Sequence, residues 1–389
     1  MTKLEEAPDT GPPGKLHLRK IDVLRGVAIL MVFLLHWYGN SVRVDHLRWN
    51  GLVLDLTSGP TLSFYLLYPL SFGWFGVPLF FVISGFCIHA STLNAGQLRV
   101  GAFLERRFWR IYPPYVASIF LAITLTGVSI STEEGRAQLW SHLLLIQNFN
   151  PAWFFGINGV LWSVSVEVQL YLLYPLLWKL RARWGIAGAL KFTLLLSIAS
   201  RIIAAVFFTD WDKDLSGAVW SLPTILWFDW TLGAFLAERY LGGRQAFPSS
   251  RSLLWIALGA VVVSTFSKPT AIFTFSLTSF FFALVCESYL RRGKPANWLE
   301  RCLVPVGLCS YSFYLIHYPL IPKIAEQLRQ FALFKTEFGL LAAAPIAILI
   351  LTAISFAAYV TIEKGSIAIG RYLRRRIHRP KLSGKMVEF

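Results

Sequence analysis

Ten apolar blocks, at residues 21–38, 73–90, 112–130, 160–178, 186–208, 220–238, 252–267, 270–289, 303–321 and 339–361, alternate with polar stretches along this chain. Each is about the length a helix needs to cross roughly 30 Å of hydrocarbon. The pattern predicts an all-α fold, a polytopic membrane bundle of about ten transmembrane helices. In the first block, IDVLRGVAILMVFLLHW, three polar residues interrupt the apolar run: Asp22, Arg25 and His36. The separation of Arg25 and His36 is three helical turns plus about 20°, or about 16 Å of rise. Asp22 falls about 40° from His36 by the same geometry. All three share one stripe, and ionisable groups at membrane depth are costly enough to mark function.

The flanks of these blocks orient the bundle. With both termini cytoplasmic, 26 of the 37 Lys and Arg residues fall inside and 8 outside, while Arg25, Lys191 and Arg201 lie within blocks. That bias follows the positive-inside rule, so the net charge of +16 is accounted for by topology and no nucleic-acid partner is expected. Cys87, Cys286, Cys302 and Cys309 lie in blocks or at their inner ends, which implies no disulfide framework. Block one resembles a signal peptide in its basic flank, but no small-residue cleavage site follows it, so it is read as retained. Residues 1–19, with GPPG at 11–14, read as a disordered cytoplasmic leader, 20–365 as the membrane domain, and 366–389 as a basic cytoplasmic tail that touches anionic lipid.

Four further stretches carry polar chemistry. LERRFWRIYPPY groups Arg106, Arg107 and Arg110 with Trp109 and Tyr112 ahead of Pro113 and Pro114, which are expected to end or bend the helix. It reads either as an interfacial anchor or as a phosphate clamp, since guanidinium groups a turn apart bind phosphate oxygens bidentately. WSVSVEVQLYLLYP puts Ser163 and Glu167 on one face; Glu167 is either functional or a packing partner of a buried base such as Arg201. FFVISGF offers Ser84 and Gly85, small residues that admit another helix or a slender ligand. CSYSFYLIHYPL spaces Tyr311, Tyr314 and His317 at i, i+3 and i+6, with His317 either an interfacial residue capped by tyrosines or part of an acceptor-side site with Ser163 and Tyr311. The remaining histidines, His89 and His142 among them, have no comparable setting, and no metal-ligand set is expected.

Together IDVLRGVAILMVFLLH, FFVISGF, RRFWRIYPPY, WSVSVEVQLYLLYP and YSFYLIHYP resemble, in order, the integral membrane acyltransferase family 3, over about residues 20–365. Bacterial members of that family O-acylate sugars, peptidoglycan, lipid-linked glycans and some antibiotics. The resemblance implies a bacterial cytoplasmic (inner) membrane enzyme that uses acyl-CoA, here acetyl-CoA, as co-substrate. It makes His36 of the Arg-x10-His element the essential catalytic residue, with Arg25 its arginine. The Arg-x-x-Arg element falls on Arg107 and Arg110, the Ser-Gly-Phe element on Ser84, Gly85 and Phe86, and the Trp-Ser-(x)3-Glu element on Trp162, Ser163 and Glu167, with Val168 where members often carry a second Glu.

A hydroxyl attacking a thioester must lose its proton, and a neutral imidazole suits that task. His36 is therefore expected to act as general base, oriented by Glu167 or, second, by Asp22. The acyl-CoA phosphates are expected on Arg107 and Arg110, with the pantetheine arm passing Arg25, Ser84 and Gly85 towards a sugar or lipid-linked glycan acceptor. The alternative is a proton-coupled transporter in which Asp22, His36 and Glu167 form a relay and the arginines gate substrate.

Overall fold

The structure, a computed structural model, describes residues 19–42, 66–208, 217–293 and 297–377. The expected leader lies outside the described residues, as does the tail beyond 377. Every regular element among the described residues is helical. The principal helices are α1 (Arg19–Val42), α2 (Gly76–Asn94, entered through a 3-10 segment Tyr68–Phe75), α3 (Val100–Thr126), α4 (Glu133–Leu143), α5 (Trp162–Phe207), α6 (Pro223–Leu241), α7 (Arg251–Ser264), α8 (Thr274–Arg291), α9 (Trp298–Leu308), α10 (Ser310–Leu328), α11 (Ala344–Ala358) and α12 (Lys364–Ile377), the last two joined by a π-helical turn, Tyr359–Glu363.

Each apolar block finds a helix, but the helices are not ten equal rods. Five helical stretches are long and apolar enough to span a membrane, or six if the α9–α10 pair is one span, and these make the chain an integral membrane protein. Blocks four and five form the single long element α5, kinked at Gly185, whose φ of 68° only glycine adopts without strain. Block nine is broken: α9 and α10 meet at 77°. At that corner a Cβ on Gly307 would stand 1.8 Å from the Asp22 carbonyl oxygen, so the bend brings backbone directly onto the start of α1.

Of the two outcomes expected at Pro113 and Pro114, an end to the helix does not occur: α3 runs through both. Pro113 has no N–H for the carbonyl of Trp109 four residues back. The hydroxyl of Ser366, on α12, fills that role at 2.7 Å. α12 is fastened to α3 again by Arg374 Nε donating to Glu105 Oε2 at 3.0 Å. Residues 366–377, expected to be plain tail, are thus helix packed on the arginine-bearing α3.

α2 and α6 cross closely because each offers a glycine at the contact. A Cβ on Gly85 or on Gly233 would lie 1.9 Å from the carbonyl oxygen of Trp230 or of Val82, respectively, the small-residue crossing expected of membrane helices. Leu79, Val82, Phe86, Leu232, Leu236 and Phe282 fill the core around it. A second core holds Phe33, Trp37, Phe103, Tyr115, Trp162 and Phe313. The polar site lies beside these cores.

Candidate active site

A cavity of about 570 Å³ is bounded by α1, α2, α3, α5, α10 and the π turn. Its rim is polar and exposed, with Ser91 and Asn94 at the end of α2, Arg110 on α3 and Lys364 at the start of α12. Its opposite end is buried and mostly apolar, made by Val77, Phe81, Ser163, Val164 and Tyr314. Four cations line it, Arg25, Arg107, Arg110 and Lys364, against three carboxylates, Asp22, Glu167 and Glu363.

The carboxylates hold the cations and hydroxyls in place. Arg25 Nη1 donates to Asp22 Oδ1 at 3.3 Å, as the spacing suggested, and its Nη2 reaches Cys87 Sγ at 3.4 Å. Arg110 Nε lies 4.0 Å from Glu363 Oε1, and the other oxygen of Glu363 accepts from Ser312 Oγ at 3.0 Å. Arg107 stacks over the rings of Phe103 and Tyr171 at 5.7 and 5.8 Å. Its Nε is buried without a hydrogen-bond partner among the described residues, an arrangement that suits an anionic ligand better than an empty guanidinium.

Glu167 sits in this cavity but not with His36. Its Oε1 accepts from Ser84 Oγ at 2.5 Å and from the hydroxyl of Tyr171, while Trp230 Nε1 donates to Ser84 Oγ at 3.2 Å. The expected orientation of His36 by Glu167 is therefore replaced. Asp22 is likewise engaged with Arg25, and no hydrogen bond among the described residues joins Asp22, His36 and Glu167 into a relay. Nor does Glu167 pair with Arg201, which is buried against Asp229, Ser276 and the carbonyls of Ile225 and Ile272. Gly85 does not line the cavity; it serves the α2–α6 crossing. Tyr311 lines it from the arginine side, its hydroxyl donating to the carbonyl of Ile111 at 2.9 Å, next to Arg110, rather than beside His317.

His36 is paired with His317 instead. Nε2 of His317 and Nδ1 of His36 are 3.1 Å apart, and the ring centroids 5.1 Å. Nδ1 of His317 faces the carbonyls of Tyr314 at 2.8 Å and Phe313 at 3.2 Å, so it carries the proton and its Nε2 is an acceptor. His36 must then donate through Nδ1, which leaves the Nε2 lone pair as its basic site. His317 is fully buried and His36 half-buried, with Tyr318 packed edge-on 5.1 Å away. Neither histidine lines the cavity. Between them and it stands Tyr314, its ring 5.6 Å from that of His317 and its hydroxyl held by Ser163 Oγ at 2.7 Å and the Val160 carbonyl at 3.0 Å.

Several lining residues escaped the sequence reading. Glu363 and Lys364 fall just past block ten in TIEKG, and only the π turn directs them into the site. Tyr171 is one turn after Glu167, a spacing that offered the only hint. His89 is fully buried rather than unremarkable, bonded to Tyr174 and Glu238 at 3.1 and 3.0 Å, with Arg181 on the same carboxylate at 2.5 Å, but it lies outside the cavity and ties α2, α5 and α6 together.

A family model described as an acyltransferase domain matches residues 18–360. The acyltransferase MdmB of Streptomyces mycarofaciens is 26% identical, with 80% of this chain and 80% of that protein covered. Nodulation protein 10 of Rhizobium leguminosarum bv. viciae is 24% identical over 78% of this chain and 93% of its own length. The peptidoglycan O-acetyltransferase OatA of Listeria monocytogenes is 25% identical over 65% of this chain, which spans 46% of that longer protein. No solved structure matches the chain.

Proposed function

The chain belongs to the acyltransferase family whose model spans residues 18–360 and is an acyltransferase, and from that premise we propose that it moves an acetyl group from cytoplasmic acyl-CoA to a hydroxyl of a sugar or lipid-linked glycan. The observation that carries this reading is the polarity gradient of the cavity, cationic at its exposed rim and apolar at its buried end. A donor with phosphates at one end and a short acyl chain at the other matches that gradient, whereas the reverse orientation would bury phosphate among Val77, Phe81 and Val164. In this reading ten helical passes put both termini in the cytoplasm of a bacterial inner membrane, with the rim on the cytoplasmic side.

The phosphates rest on Arg107 and Arg110, Arg25 lies along the pantetheine arm, and the acyl end comes up against Ser163 and Tyr314. The about 16 Å of helix from Arg25 to His36 is comparable to the reach of that arm. Nε2 of His36 takes the proton of the acceptor hydroxyl as its oxygen attacks the thioester carbonyl carbon. The C–S bond then breaks, and the CoA sulfur leaves and is protonated. His317 holds the reacting imidazole in the tautomer with Nε2 free. The Tyr314 ring has to leave its bonded position for the carbonyl carbon to reach Nε2, so the transfer step includes that movement.

Surface glycans of cells carrying the wild-type gene or His36→Ala, compared by mass spectrometry, test the proposal. We expect one class of sugar to lose the mass of an acetyl group in the variant, with equal amounts of the protein in the membrane. Identical glycan profiles would overturn it.

A further inference from the structure

The rim of the cavity contains a cation that neither the sequence motifs nor the proposed clamp uses. Lys364 is the first residue of α12, directly after the π turn, and it lines the cavity while remaining exposed. A π turn inserts one residue into the helical register and is often found at functional sites. Here it buries Glu363, which anchors Arg110, and leaves Lys364 on the rim beside it. The position is a fixed one, because α12 is pinned to α3 by the bonds of Ser366 and Arg374, and a Cβ on Gly370 would stand 2.3 Å from the Trp109 ring. Arg110 and Lys364 are therefore carried on two elements locked together.

The four cations differ in their partners and in depth. Arg25 is occupied by Asp22, Arg110 shares Glu363, and Arg107 is recessed against two aromatic rings with its Nε buried. Lys364 has no carboxylate partner among the described residues; its Nζ sits 4.8 Å above the Tyr359 ring. An exposed ammonium with three free-turning donors is suited to a terminal phosphate that approaches from solvent, a point charge that needs no fixed fork. Ser91 and Asn94, exposed on the same lining, supply the neutral polar groups that a ribose and a base would meet.

We propose that Lys364 binds the 3′-phosphate of the donor nucleotide, so that the rim distinguishes coenzyme A from its 3′-dephospho form. The inference rests on the acyl-CoA reading above and assigns one further residue and one further phosphate to it. The diphosphate runs from the recessed Arg107 to Arg110 at the rim, and the 3′-phosphate, on the ribose that follows it, meets Lys364 beside Arg110.

The test is equilibrium binding of CoA and 3′-dephospho-CoA to the full-length purified protein in nanodiscs, for wild type, Lys364→Ala and Lys364→Arg. We expect wild type to bind CoA about tenfold more tightly than 3′-dephospho-CoA, the scale of one charge-assisted phosphate contact. Lys364→Ala loses that preference with its dephospho-CoA affinity unchanged, and Lys364→Arg retains most of it. A structural role for Lys364 would weaken both ligands together and overturn the assignment. Equal wild-type affinities, or a preference surviving in Lys364→Ala, would overturn it too while leaving the donor reading intact. Binding of neither ligand would overturn both.

Discussion

His36 and His317, on helices α1 and α10, face each other across 3.1 Å, with Nδ1–H of the first donating to Nε2 of the second. The pairing divides the labour within the proposed mechanism. His36 keeps a basic Nε2, and His317, tied to the backbone of its own helix, holds the ring. His36→Ala is expected to lower kcat by about 10²–10⁴-fold, the usual worth of a positioned general base. His317→Ala is expected to cost about tenfold, in kcat rather than in KM for the donor. Equal losses from the two substitutions would mean that His317 itself takes the proton.

The arginine pair should separate donor from acceptor. Arg107→Ala with Arg110→Ala removes two guanidinium groups from the cationic part of the cavity but nothing near Tyr314 or the histidines. The apparent KM for acyl-CoA is expected to rise at least tenfold, about 1.4 kcal/mol of lost binding, with the KM for acceptor little changed. A rise confined to the acceptor would remove the clamp from the donor side.

Cys87 provides a probe of occupancy that does not depend on turnover. It lines the cavity next to Arg25, whereas Cys286 and Cys309 are buried and Cys302 is exposed elsewhere. In a Cys302→Ser background a maleimide should therefore alkylate Cys87. Saturating S-ethyl-CoA, a thioether without a reactive thiol, is expected to slow labelling several-fold. Unchanged labelling at saturation would put the donor somewhere other than this cavity.

What the sequence made legible was mostly what a single helix encodes. The stripe of Asp22, Arg25 and His36 follows from periodicity, and Asp22 does hold Arg25. Ser163 and Glu167 share a face as their i, i+4 spacing requires, and both line the cavity. What failed were pairings between helices. The expected pairing of Glu167 with His36 spans two helices whose lateral positions no single-helix pattern encodes; Glu167 instead meets Ser84 and Tyr171, and a second imidazole takes the acid's place beside His36. That pairing depends on the corner between α9 and α10, which appears in the sequence only as an unbroken apolar block. Glu363 and Lys364 were hidden for a related reason, because a π turn shifts the register on which any reading by periodicity relies.

Gly85 illustrates how one motif can serve two purposes. Its neighbour Ser84 lines the cavity, but the missing side chain of Gly85 is what lets α6 approach. Gly85→Ala has to push the Trp230 backbone away, an overpacking that costs about 1–3 kcal/mol. A lowered unfolding temperature in detergent is the expected result, with affinity for CoA retained in the protein that stays folded. Ser84→Ala introduces no clash, but it unpairs the buried Trp230 Nε1 and removes one bond to Glu167, so it is expected to lower the unfolding temperature as well and to weaken CoA binding, which Gly85→Ala does not. If Gly85→Ala instead lost CoA binding at full stability, the glycine would belong to the donor path after all.

His142 gives the fold a pH dependence outside the membrane spans. It lies on α4, in the connection between the third and fourth apolar blocks, fully buried with Nδ1 donating to the Gln138 carbonyl at 2.7 Å. Its own carbonyl accepts from the Tyr115 hydroxyl at 2.9 Å, so α4 and α3 are linked through this residue. Burial pushes the imidazole pKa down from the usual 6.5 to about 4. The folded state therefore keeps it neutral where the unfolded chain, with its ordinary value, binds a proton. Stability from this group is complete above about pH 6.5 and is lost as the pH falls towards 4, because the unfolded state takes up more protons across that window. Thermal unfolding in detergent at pH 7.5 and pH 5 should show a larger drop in wild type than in His142→Gln, whose amide does not titrate there. An identical drop in both proteins would assign the acid sensitivity to other groups.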